Sequence, residues 1–134
     1  MLKYELRLYK PNSIIGLIIC IITGSKYSHS AVLINGELWD SSESRGYFGK
    51  NTNLGNREYI SFEFKGNLTL WLLKMKEVEY DWLGVVGWLF KANDKSKFYC
   101  FEASLSALRY CGITNINPNR VTADTLINVF KRYK

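Results

Sequence analysis

Hydrophobic and polar positions alternate most clearly at the start of the chain. From Leu2 to Tyr9, Leu2, Tyr4, Leu6 and Leu8 fall on one side and Lys3, Glu5 and Arg7 on the other. That period of two predicts a half-buried strand with the leucines inward. Pro11 and Asn12 end it. Ile14 to Ile22 is apolar throughout apart from Gly16. Ser13 can cap it as a short helix, while its β-branched residues would also suit a strand. Thr23-Gly24-Ser25 closes it. Ser28 to Ile34 and Glu37 to Ser41 flank Asn35-Gly36, the strongest two-residue signal for a type I′ hairpin. Tyr59 to Phe64 alternates again, and Thr69 to Lys76 is apolar on one side, as a helix would be.

Further along the chain the period becomes helical. Asp81 can cap a helix over Leu83 to Phe90, with Trp82, Val85, Val86 and Leu89 on one stripe. In Phe98 to Gly112, Cys100, Ala103, Ala107 and Cys111 share a face, and Gly112 supplies the stop. Thr122 can cap a last helix, with Asp124 in its first turn and Lys131 and Arg132 in its last, all matched to the helix dipole. Glu43 to Asn56 is rich in Ser, Gly, Asn and Arg and reads as a long loop; Asn115 to Arg120 reads as a turn. Neither repeats nor a linker interrupt this order. The expectation is one α+β domain over residues 1–134, with a small antiparallel sheet packed on a late helical block.

The hairpin turn also fixes which side chains meet. Ile34 opposes Glu37, Leu33 opposes Leu38, Val32 opposes Trp39, and His29 opposes Ser42. His29, Ala31 and Leu33 then share a face with Leu38, Asp40 and Ser42. The polar groups within reach of His29 are therefore Ser42 directly across and Asp40 on the diagonal. A carboxylate beside an imidazole fixes its tautomer and favours its protonated form. His29 is the sole histidine. A second candidate is Cys100, whose thiol at a helix start faces unpaired N–H groups and the positive end of the dipole, both favouring thiolate. Glu102 in the same turn partly opposes that effect. Cys20 and Cys111 read as core residues.

Composition narrows the classes. The 134-residue chain is 47% hydrophobic, enough for a real core and too much for disorder. The longest apolar run is far short of the ~20 residues a transmembrane helix needs. The N-terminus MLKYELRLYK does not resemble a signal peptide, so the chain is expected in the cytoplasm at synthesis. Three cysteines without a C-x-x-C suggest neither a disulfide scaffold nor a zinc site, and no residue cluster calls for a metal or another cofactor. A net charge of +6 would attract an anionic surface or polymer. Without a finger or arginine-rich segment it implies no specific nucleic-acid readout. The sequence is silent on oligomeric state.

Taken together, Tyr27-Ser28-His29, Tyr80-Asp81-Trp82, Cys100-Phe101-Glu102 and Thr122-Ala123 resemble, in order and spacing, the circularly permuted branch of the NlpC/P60 papain-like superfamily, especially its small phage-type and bacterial members. The likeness covers nearly the whole chain. Phe101 stands where the family usually has serine, and Ala123 where it has a helix-opening proline. The resemblance implies a helix over Ile14 to Ile22, Cys100 as nucleophile, His29 as base, and a third polar residue on the next strand, which points to Asp40. It implies a thiol peptidase or amidase without a cofactor, acting on a peptide or amide, foremost in peptidoglycan. It also implies a phage-encoded or virion-associated origin. An intracellular amidase, deamidase or acyltransferase is the second expectation. A non-catalytic phage or host-interaction module keeping the same fold is the third.

Overall fold

A computed structural model describes residues 2–41, 47–76, 100–116 and 121–133. In chain order the described elements are strand β1 (Leu2–Tyr9), helix α1 (Ile14–Thr23), strands β2 (His29–Ile34), β3 (Glu37–Ser41), β4 (Phe48–Lys50) and β5 (Tyr59–Gly66), and helices α2 (Thr69–Met75), α3 (Cys100–Tyr110) and α4 (Ala123–Arg132). The strands form one antiparallel sheet ordered β4-β3-β2-β1-β5. The fold is α+β. The expected helix over Leu83 to Phe90, the Tyr80-Asp81-Trp82 motif and Ser42 lie outside the described residues.

Alternation sorts the sheet into two faces. Tyr4, Leu6, Leu8, Val32, Ile34, Trp39, Phe48 and Phe64 turn to the core beneath α3 and α4 and are buried. Phe62 stacks on Phe130 of α4 at 4.7 Å between ring centroids. Leu2, expected inward, is 51% exposed because the sheet end leaves it uncovered. Helix α3 is pinned by polar contacts within this core. Ser30 Oγ donates to the Cys100 carbonyl at 2.9 Å and shares a hydrogen bond with Ser104 Oγ at 2.7 Å. The first turn of α3 is thus tied to the start of β2.

Local sequence explains the helix ends. Ser13 Oγ accepts from Gly16 N–H, and Gly24 closes α1 in the left-handed region. Thr122 and Thr125 cap α4 reciprocally. The outer face of α1, comprising Ile14, Leu17, Ile18 and Ile21, is solvent-exposed. The hairpin turn has positive φ at both Asn35 and Gly36, as type I′ requires.

The segment expected as a loop over Glu43 to Asn56 is not all loop. Phe48–Lys50 pairs with β3 as an edge strand, Asp40 opposite Gly49. Its three residues are too few to show a period, so the pairing is a tertiary effect. Beyond it, residues 51–57 fold back along the second face of the sheet. There Leu54 packs with Tyr9 and Ala31, and Leu38 lies against them.

Candidate active site

The site lies where the end of β1, the start of β2 and the start of α3 come together. The register is the one the Asn35-Gly36 turn dictates: Val32 opposes Trp39, Leu33 opposes Leu38 and Ile34 opposes Glu37. It sets His29 and Asp40 on the same face, one diagonal step apart. His29 Nε2 and Asp40 Oδ2 are 2.5 Å apart. Both side chains are buried, with Asp40 1% exposed and His29 6%.

The Cys100 thiol stands at the first residue of α3, 2% exposed. It lies 3.9 Å from the Ser28 carbonyl oxygen, a loose contact for sulfur. It is also near enough to the His29 ring to affect its protonation. Burial by itself would lower the His29 pKa. The charge on Cys100 and then the Asp40 carboxylate, with hydrogen bonds from both, outweigh burial and raise it from 6.5 to about 10. At neutral pH the ring is therefore an imidazolium, and its Nε2–H donates to Asp40. The other two thiols sit elsewhere, half-buried. Burial pushes the pKa of each up, in Cys111 against a lowering backbone hydrogen bond from Asn67.

No family model matches the chain, and neither a curated protein nor a solved structure matches it. The chemistry must therefore be read from the residues themselves.

The structure brings together the three residues singled out in the sequence, Cys100, His29 and Asp40. It adds Asn51, which the sequence reading missed. Asn51 Nδ2 donates to Asp40 Oδ2 at 2.7 Å. Its own backbone N–H is held by the Leu38 carbonyl at 2.8 Å, and its side-chain oxygen accepts from Asn53 N–H at 2.8 Å. One carboxylate oxygen thus receives both the ring and the amide. The only sequence signal was the Asn-x-Asn spacing, which suits an Asx turn but says nothing of Asp40. Tyr9 is the second addition; its ring centroid lies 6.4 Å from that of His29.

Among the described residues there is no group of three or more His, Cys, Asp or Glu able to hold a metal ion. No helix among them is long and apolar enough to cross a membrane. A separate groove of about 500 Å³ lies between the end of α3 and α4, lined by Ile113, Thr122 and Asn128 among others. It contains none of the three site residues. The arrangement around His29 has the parts of nucleophilic catalysis: a thiol, an imidazole, and a carboxylate fixed by a further hydrogen bond.

Proposed function

We propose that this chain is a thiol hydrolase of the permuted NlpC/P60 type that cleaves an amide bond through an acyl-enzyme. The observation that carries the reading is the buried His29 ring, paired with the Asp40 carboxylate and interacting with the Cys100 sulfur. Asp40 takes Nε2, which leaves Nδ1 to serve the thiol. The thiolate attacks the carbonyl carbon, and a tetrahedral oxyanion forms near the backbone N–H groups at the start of α3. When the C–N bond breaks, His29 protonates the departing amine. His29 then takes a proton from water as the water attacks the thioester, releasing the acid and the free thiol. Asp40 holds the ring in orientation and stabilises its charge, and Asn51 holds Asp40.

A cell-wall peptide is the substrate proposed first. It fits the resemblance, and the +6 chain suits an anionic wall. The test begins with an activated nitrophenyl ester. The expected result is a burst of nitrophenol with a matching acyl mass on the Cys100 peptide, both absent in Cys100→Ala. No acyl adduct on Cys100 would overturn the reading. Purified wall peptides, acylated lipids and protein amides are then offered in parallel, and release of a free wall-peptide fragment is expected. Transfer of the acyl group to an added amine instead would make the protein an acyltransferase.

A further inference from the structure

Arg57 lies over the ring of Tyr9, which neighbours the ring of His29. Arg7 pairs with Glu5 at 2.7 Å, Lys10 with Glu58 at 2.6 Å, and Lys50 with Glu37 at 3.0 Å. Arg57 forms no ion pair among the described residues. Its Nη2 donates to the Lys10 carbonyl at 2.7 Å and reaches Ser28 Oγ at 3.5 Å. Its Nε is buried without an acceptor. The guanidinium carbon lies 5.5 Å from the centroid of the Tyr9 ring, close enough for a cation–π contact that fixes the plane of the head group. The half-buried head group is thus held at Nη2 and over Tyr9, and no carboxylate among the described residues neutralises its charge.

Ser28 joins this cation to the reacting sulfur. Its hydroxyl faces Arg57, and its carbonyl lies 3.9 Å from Cys100 Sγ. The guanidinium and the sulfur thus lie on two sides of one residue, up to about 10 Å apart when both contacts and the span of Ser28 are added. A peptide chain advances about 3.5 Å per residue, so a group one or two residues beyond the attacked bond can reach the guanidinium.

We infer that Arg57 binds the free carboxylate of the substrate's leaving side, so that the enzyme acts on short acyl-peptides or acyl-amino acids ending in a carboxylate one or two residues past the attacked carbonyl. This rests on the thiol-enzyme reading above and specifies its substrate class. Arg57 positions the leaving segment, and Cys100, His29 and Asp40 carry the chemistry.

The test needs no natural substrate. N-Chloroacetylglycine and N-chloroacetylglycylglycine are compared with their C-terminal amides as alkylating probes. In each case the Cys100 sulfur forms a bond to the methylene carbon, chloride leaves, and the thiol proton passes to His29 or solvent. Acid and amide have the same reactive end and differ only in the terminal charge. Labelling of Cys100 is followed by peptide mass spectrometry at neutral pH. The expected result is that at least one acid labels about fivefold or more faster than its amide. In Arg57→Gln the acid-to-amide rate ratio should fall to about one, with circular dichroism checking separately that the variant is folded. Arg57→Lys should keep part of the preference, since it retains the charge and loses the fork. Equal rates for both acids and their amides, or a preference that survives Arg57→Gln, would overturn the inference and leave the dyad standing. If no probe labels Cys100 in the folded protein, the nucleophile assignment fails and this inference falls with it.

Discussion

The raised pKa of His29 has a consequence for stability that one residue makes easy to follow. His29 is the sole histidine, so its ring protons give a single imidazole titration by NMR. It moves from 6.5 in the unfolded chain to about 10 in the fold. The group's affinity for a proton is thus higher when folded. Its contribution to stability is fully present below about pH 6.5 and is lost as pH rises through about 10. Each tenfold change in proton affinity is worth about 1.4 kcal/mol, and because part of the rise needs Cys100 ionised as well, the contribution is a few kcal/mol at most. The perturbation is Asp40→Asn, which keeps the shape and an acceptor but removes one of the two negative partners. Burial then weighs more heavily against the charged ring, so the titration should move down by more than a unit. Urea unfolding of the parent and of Asp40→Asn, measured from pH 6 to 10.5, should show a steep fall in the parent and a shallower, earlier one in the variant. Subtracting a His29→Gln reference removes the lysines and tyrosines that titrate in the same range. A parent ring that titrates at or below 6.5 would refute the charged pairing, as would an Asp40→Asn curve parallel to the parent.

Two further outcomes follow from particular contacts. Asn51→Ala should cost about 1.5–3 kcal/mol in urea unfolding, because it removes a hydrogen bond to a buried carboxylate; it should also lower turnover more than it changes KM. Gly66→Ala should cost about 1–3 kcal/mol by thermal unfolding, since a new Cβ would meet Cys111 Sγ and come within 2.8 Å of Cys111 Cβ; an unchanged Tm would show that this strand end is looser than described.

Much of the site was legible because its geometry is local. Asn35-Gly36 has the backbone of a type I′ turn, and that turn fixes the register which sets Asp40 diagonally from His29. The caps at Ser13 and Thr122 and the stop at Gly112, with φ of 75°, were readable for the same reason. What could not be read depended on distant pairing. Phe48–Lys50 is a strand because β3 offers it an edge, and Asn51 reaches Asp40 only because that edge is taken. Ser30 looks like an ordinary polar residue in an apolar strand. Its role, tying Cys100 to β2, exists only once α3 crosses the sheet. Arg57 carries no motif at all; its place beside Tyr9 and Ser28 comes from the chain folding back after β4.

The most direct test of the thiol-enzyme reading is selective alkylation of the folded protein by iodoacetamide at neutral pH, with labelling of Cys20, Cys100 and Cys111 followed separately by peptide mass spectrometry. Burial raises the pKa of Cys20 and Cys111, and among the three thiols Cys100 is the one beside the His29 ring. The expected result is that Cys100 reacts well ahead of the other two and that His29→Ala slows it at least tenfold without slowing them. Slow, uniform labelling of all three, or a Cys100 rate indifferent to His29→Ala, would contradict it.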